Sequence, residues 1–486
     1  MNFIADVLER FPASKRAVIA ISGDGELRIW HFGELIACSA GLSGAFAARG
    51  VSRGDVVMTL VGNRIEWVLS VLACWRMGAV ALPCSTQLRR RDLELRVRAA
   101  DPRLCVGEEE PLGELPDGVP YVTLDDVADV LDEDRPQEPP TEVTDLGAED
   151  PAVIVFTSGT TGEPRGALHA QRYLGGQSTQ AEHWFGARDG DLAWCTTATG
   201  WSKSARNVFV APWLMGATAV IHDARFDPEE RLTLAEQLGI TVLCQVPTEY
   251  RMLAKRGQPR PLPKLRRMVS AGEPLNPEVI EVFREATGLE IADGYGQTET
   301  GQLTGHRPDE EIRPGSMGRP LPGFDLRVEE GELKLRADSC PTFFSRHLGG
   351  EPFADEWWPT GDIVREDGDG YLFYEGRSDD LILSAGYRIG PFEVESALVS
   401  HPAVAEAAAV PAPDPERGAV VRAIVVLRDG EGTEELAHEL QEHVKRTTAP
   451  YKFPRIVEFA DELPKTSSGK VKRAALRGAT PRRPAA

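Results

Sequence analysis

Apolar positions along the first hundred residues follow two alternating periods. Phe32, Leu35, Ile36, Leu42 and Phe46 fall at helical spacing, and Gly50 stops the run. Residues 56–60 then read as a strand and 65–77 as a mostly apolar helix. Residues 79–83 read as a strand, 88–100 as a charged amphipathic helix and 104–107 as another short strand. This alternation predicts a parallel sheet covered by helices. The run 152–156 reads as a buried strand, and 209–220, 240–245 and 265–270 continue the rhythm. No repeat has a period that suggests a solenoid. From about Ile312 the spacing changes, and short glycine-punctuated segments (325–329, 332–336, 370–374) read as hairpin strands of a small β subdomain. Near Gly376 it changes again, to a compact α+β segment of about one hundred residues. The expected fold class is therefore α/β. A large N-terminal domain (1–376) of parallel and mixed sheets under helices precedes a small α+β C-terminal domain (377–486). The tail from Arg477 to Ala486 is expected to be disordered.

Composition narrows the classes. With 486 residues, 42% hydrophobic and 27% charged, the chain reads as a globular protein too long for one core. Lys and Arg total 54 against 75 Asp and Glu, a net charge of −21, which argues against nucleic-acid or anionic-membrane binding. A local basic pocket for an anionic ligand is still allowed. The N-terminus reads as neither signal peptide nor anchor, and no apolar run approaches the ~20 residues that span a bilayer. Seven cysteines without Cys-x-x-Cys spacing read as reduced core residues of a cytoplasmic protein.

The chemistry concentrates in six stretches. Thr157-Ser158-Gly159-Thr160-Thr161-Gly162-Glu163-Pro164-Arg165-Gly166 follows the buried strand at 152–156. Its glycines and hydroxyls would let backbone N–H groups approach phosphate oxygens while Arg165 adds charge. No Gly-Lys-Ser/Thr closes it, so it is not a Walker A loop. Alone it reads equally as a flexible surface turn. Gly294-Tyr295-Gly296-Gln297-Thr298-Glu299-Thr300-Gly301 sets a carboxylate beside hydroxyls in what reads as a glycine-relieved loop. Trp358-Pro359-Thr360-Gly361-Asp362 offers a carboxylate suited to paired sugar hydroxyls, or a plain turn. Gly376-Arg377-Ser378-Asp379-Asp380, Ser384-Ala385-Gly386-Tyr387-Arg388-Ile389-Gly390 and Pro464-Lys465-Thr466-Ser467-Ser468-Gly469-Lys470 complete the set.

In joint order and spacing these stretches resemble the adenylate-forming superfamily of acyl-CoA synthetases, adenylation domains and luciferases. Thr199-Gly200-Trp201, Pro247-Thr248-Glu249-Tyr250-Arg251 and Ala449-Pro450-Tyr451-Lys452-Phe453-Pro454-Arg455 are similar to its medium-chain acyl-CoA synthetase branch. The resemblance implies a carboxylate–CoA ligase that uses ATP, Mg²⁺ and coenzyme A. Thr157 to Arg165 would hold the β- and γ-phosphates, Glu299 the Mg²⁺, and Thr298 would sit at the α-phosphate. Gly272, Glu273, Pro274 and Asp293 to Gln297 would flank adenine, and Asp362 and Arg377 would take the ribose hydroxyls. Lys470 would bridge the carboxylate and α-phosphate, and Arg388 would contact AMP phosphate. Coenzyme A would meet Ala385, Gly386, Tyr387, Arg417, Lys445, Phe453, Pro454, Arg455 and Gln87. Asp379 matches the hinge about which the mobile C-terminal domain turns. Trp201, Thr298 and Gly296 would border the acid, with glycine at 296 opening a slot that a tryptophan fills in acetyl-CoA synthetases.

Two departures stand out. Arg165 replaces the usual lysine. Arg206 falls where related bacterial enzymes tend to carry an aromatic residue; it is read as facing solvent, the other reading being contact with a polar or second carboxylate group of the acid. The alternatives to the medium-chain ligase are an aryl-CoA ligase for benzoate-like acids, an enzyme loading a carrier protein, and a nucleotide-binding regulator without chemistry. The oligomeric state is left open.

Overall fold

The computed structural model of the chain describes residues 1–132, 139–157, 164–384, 387–465 and 471–477. It is α/β, with two large sheets, one of seven and one of nine strands, followed by a four-stranded and a five-stranded sheet. In the seven-stranded sheet Val56–Leu60, Val80–Pro83, Leu104–Gly107, Tyr121–Thr123 and Pro151–Phe156 run parallel. Gly166–Ala170 then returns antiparallel to Pro151–Phe156, and Arg346–His347 pairs outside it. The nine-stranded sheet has a parallel centre that includes Leu192–Cys195, Val242–Gln245, Arg267–Ala271 and Ile291–Gln297. Gly301–Gly305 adds to it as an antiparallel neighbour of Ile291–Gln297.

The helix Ile65–Met77 is buried almost all round, which its continuous apolar sequence requires. It lies in the main core with the helix Phe32–Ala48 and strands of both large sheets. Aromatic side chains knit this layer together: Phe209 sits 5.3 Å from Trp67, 6.0 Å from Trp75 and 4.9 Å from Trp213, centroid to centroid. The four-stranded sheet contains Glu332–Arg336, Trp357–Glu366 and Leu372–Arg377. The five-stranded sheet lies wholly beyond residue 381 and has its own apolar core around Ile382, Val394, Val425, Leu440 and Val444.

Two expectations change. Residues 294–301 are not an open loop, since 294–297 end one strand and Gly301 begins the next. Residues 358–362 likewise lie inside the strand Trp357–Glu366, not in a turn. The acidic, proline-rich stretch 132–150, which its composition marks as a solvated loop, has no helix or strand over 139–150 and is mostly exposed there. It is anchored where Asn2 Nδ2 donates to the Thr144 carbonyl at 3.0 Å and Leu146 is buried. Residues 133–138 of that stretch, and the tail from 478 on, lie outside the described residues.

Phe209→Ala should lower stability by roughly 3–5 kcal/mol, because the ring is fully buried among tryptophans that cannot collapse into the space. The midpoint of thermal unfolding measures it, and an unchanged midpoint would contradict this packing.

Candidate active site

The site is built around the strand pair Ile291–Gln297 and Gly301–Gly305, whose connection carries Thr298, Glu299 and Thr300. The register shifts between Tyr295 and Gly296, bringing the two backbones unusually close. A Cβ added at Gly296 would lie 1.9 Å from the Gly301 carbonyl oxygen and 2.8 Å from Gln302 Cα. Glycine at 296 is thus required by the opposing backbone. The expectation that a bulky side chain there would merely fill the acyl slot is corrected: no side chain fits without opening the hairpin.

Asp362 is the centre of the polar network. Strand register sets it directly opposite Arg377, and Arg377 Nη1 lies 3.4 Å from its Oδ1. Tyr295 donates its hydroxyl to Oδ2, and Gln297 Nε2 donates to the same oxygen at 2.8 Å. Gln297 is itself fixed, donating to the Thr360 carbonyl at 2.7 Å and accepting from Trp358 Nε1 at 3.2 Å. Asp362 is only 5% exposed. Burial raises its pKa, opposed by Arg377 and by the hydrogen bonds from Tyr295 and Gln297. Asp362, Arg377, Tyr295 and Gln297 are therefore brought together.

Gly272, Glu273 and Pro274 follow the strand Arg267–Ala271, which pairs in parallel with the strand carrying Asp293 and Gly294. They thus gather at the carboxyl ends of adjacent parallel strands, where ligands bind open α/β sheets. Glu273 is held by Thr248 Oγ1 at 2.8 Å and Arg251 Nη2 at 2.8 Å, two partners from a motif that carried no site assignment. Asp293 is buried and accepts from the Gly294 amide at 2.9 Å. Burial pushes its carboxyl up to about 8, against the hydrogen bonds from Gly294 and Leu275 and the charge of Lys203. Lys203, also buried, donates to the Ala271 carbonyl at 2.7 Å, directly before Gly272.

The neck of the phosphate-loop stretch is closed: Phe156 pairs with Gly166, and the Thr157 amide donates to the Arg165 carbonyl at 2.9 Å. Ser158, Gly159, Thr160, Thr161, Gly162 and Glu163 lie outside the described residues, and Pro164 and Arg165 follow them. The neck is tied to Glu299 through a residue that sequence reasoning missed. His347 pairs with Ala167 on the exit strand, and its Nε2 lies 3.1 Å from Glu299 Oε1. No motif marks His347; only strand pairing brings it there. Among the described residues no cluster of three His, Cys, Asp or Glu side chains is placed to hold a metal. A single carboxylate beside a phosphate loop still fits Mg²⁺, which is commonly held by one or two carboxylates and the phosphates of its substrate.

Trp201 borders a narrow cleft with Trp75, Val155, Tyr173, Leu174 and Arg206. Only about 10 Å³ of it is open to the centre of a water molecule. Gly200 has φ +84°, and a Cβ there would lie 2.4 Å from the Ser85 amide, so the Trp201 loop packs tightly on the loop leading to Gln87. Arg206 does not face solvent. It is 4% exposed and opens the π-helical turn Arg206–Val210, correcting the solvent reading.

The remaining assignments fall on the C-terminal sheet and its helices. Lys445 Nζ and the Arg455 guanidinium lie 4.2 and 5.1 Å from the Phe453 ring centre, with Pro454 between the two residues of that loop. Tyr387 stacks on Tyr451 at 4.3 Å. Arg417 precedes Gly418, which pairs with Ser384 at the base of the hairpin whose far strand, Tyr387–Ile389, carries Arg388. Ala385, Gly386 and Lys470 lie outside the described residues. Asp379 stands between the strands Leu372–Arg377 and Ile382–Ser384; its carbonyl accepts from Arg477 at 3.0 Å and its carboxylate lies 3.4 Å from Arg377. Gln87 sits apart from this group, on the loop after Val80–Pro83.

A large α/β unit with a buried polar network at its strand ends and a small appended unit describe a known class. The family described as AMP-binding enzyme matches residues 4–341, and the AMP-binding enzyme C-terminal domain matches residues 393–470. The chain belongs to this family. It is 38% identical to the mitochondrial acyl-coenzyme A synthetase ACSM4 of Rattus norvegicus, covering 98% of this chain and 90% of that protein. It is 37% identical to the acyl–CoA ligase YtcI of Bacillus subtilis, over 98% and 95%. Among solved structures, an anthranilate CoA ligase in complex with anthranoyl-AMP superposes with a TM-score of 0.87 at 30% identity, over 98% and 96%. A Brucella canis acyl-CoA synthetase gives 0.75 at 33%, over 98% and 94%.

Two outcomes follow from this geometry. Gly296→Ala should depress activity with short and long acids alike and lower the unfolding midpoint, since the added carbon meets backbone; normal stability with altered chain-length preference would restore the pocket reading. Asp293 carries a raised pKa, so the stability it contributes is complete below its ordinary value of 3.8 and is lost as pH rises through about 8. The wild-type unfolding midpoint should therefore fall as pH is raised through the neutral range to about 9, and Asp293→Asn should remove part of that fall. Parallel pH profiles for the two proteins would contradict it.

Proposed function

We propose that this AMP-binding enzyme is a carboxylate–CoA ligase that activates an aliphatic acid, of medium chain length by preference, and transfers it to coenzyme A. In the first half-reaction a carboxylate oxygen attacks the α-phosphorus of ATP and pyrophosphate leaves. In the second, the thiolate of coenzyme A attacks the acyl carbonyl and AMP leaves. The observation that carries the reading is the convergence of Asp362, Tyr295, Gln297 and Glu299 beside the neck of the phosphate-loop stretch, in a chain matched along its length by acyl-CoA synthetases.

In this reading Asp362 and Arg377 receive the ribose, and Gly272 to Pro274 and Asp293 to Gln297 border the adenine. Residues 157–165 hold the β- and γ-phosphates. Mg²⁺, held by Glu299 and phosphate oxygens, would offset the charge that builds between two anions. Thr298 stands at the α-phosphate, and Lys470 aims its ammonium at the developing transition state. The chain divides into an ATP- and acid-binding domain, 1–376, and a smaller domain, 377–486, that brings Lys470 for one half-reaction. For the other it brings the surface of Tyr387, Arg417, Lys445, Phe453 and Arg455, turning at Asp379. A reducing, cytoplasmic setting is supported by seven cysteines that form no disulfide. No helix among the described residues is long and apolar enough to cross a membrane.

The test is AMP release from ATP across a panel of carboxylic acids, with and without coenzyme A. Acid- and CoA-dependent release supports the ligase; release that ignores coenzyme A rejects it. Lys470→Ala should reduce acyl-adenylate formation by several orders of magnitude while conversion of supplied acyl-adenylate to thioester survives. Equal loss of both steps in a folded variant would remove Lys470 from its assigned role.

A further inference from the structure

Arg206 is buried to 4% exposure, and its Nε and Nη1 atoms have no hydrogen-bond partner. Among the described residues no carboxylate pairs with it. Two titratable groups beside it supply no counter-charge: burial lowers His169 to about 3, with Arg206 and Arg172 adding to the fall, so it is neutral. Burial likewise raises Tyr173 and keeps its hydroxyl protonated. Open N–H donors on a buried guanidinium call for a bound water or a ligand to complete their hydrogen bonds.

The same side chain lines the Trp201 cleft, between the hydroxyl-bearing Ser202 and Tyr173 and the apolar wall of Trp75, Val155 and Leu174. Its Nη1 lies 3.4 Å from where a Cβ on Gly301 would stand, beside the turn that carries Thr298 and Glu299. The guanidinium therefore lines the cleft and also packs against Gly301, at the end of that turn. Resting on the ligase reading of that turn, we propose that the acid bears a second carboxylate, bound by Arg206: the substrate class is an aliphatic dicarboxylate. A planar guanidinium offers a carboxylate two parallel donors, and an acid with a terminal methyl would leave the charge unpaired.

The experiment compares matched pairs, adipate against hexanoate and suberate against octanoate, by AMP release with ATP, Mg²⁺ and coenzyme A. Wild-type kcat/KM should favour the diacid by at least about tenfold. Arg206→Met should reverse that ratio, and Arg206→Lys should keep part of it, with KM for ATP unmoved in both. Arg206→Gln serves where the methionine variant fails to fold. Wild-type preference for the monoacids, or a ratio unchanged by substitution, overturns the proposal; the second result is what an ordered water satisfying Arg206 would give. If no acid is turned over, the ligase reading fails and binding decides. A rise in unfolding midpoint with adipate, absent with hexanoate and absent in Arg206→Met, then supports the dicarboxylate site, and no rise overturns it.

Discussion

A carboxylate removed from water must be given hydrogen bonds or it will take up a proton, and Asp362 imposes that constraint on everything around it. Its neighbours come from two places: Arg377 from the adjacent strand, and Tyr295 and Gln297 from the end of a strand in the nine-stranded sheet. The network therefore locks the four-stranded sheet onto the large one. It also fixes the strand end from which Thr298 and Glu299 project. Because Gln297 is gripped at both ends, by Thr360 and Trp358, the turn that follows it has little freedom. Holding that turn in advance is the form of catalysis open to a reaction between two anions, where positioning and charge neutralisation do most of the work.

The charge distribution follows the same logic. The chain carries a net charge of −21, yet buried cations stand near the site. Lys203 and Arg206 are buried, Arg251 faces Glu273, and Arg377 faces Asp362 and Asp379. Lys203 donates to the Ala271 and Gln245 carbonyls and so fixes the strand ends before Gly272. Arg206 has no such protein partner for Nε and Nη1. The contrast separates a cation that ties strand ends together from one that the protein leaves without partners for Nε and Nη1.

Much of this was legible in the chain. The strands Val56–Leu60 and Leu104–Gly107 and the helix Ile65–Met77 stand where their periods put them, because each has one unambiguous apolar pattern. The Gly294–Gly301 segment misled because glycine signals turns, whereas here it permits two strands to approach within a distance no Cβ allows. Pro359 and Gly361 disguised the strand Trp357–Glu366 in the same way. Asp362 and Arg377 were found from their motifs, but their pairing is a matter of register between strands. His347 and the burial of Arg206 had no sequence signal, since both depend on contacts across distant segments. Lys470 and most of the phosphate loop were read from motif alone and lie outside the described residues.

The claim that this network is a nucleotide site is tested most directly by titrating the protein with a non-hydrolysable acyl-sulfamoyl adenosine in a calorimeter. Tight binding by the wild type, weakened by at least about a hundredfold in Asp362→Ala, is the result this structure requires. Equal affinity in the two proteins, or none in either, would contradict it.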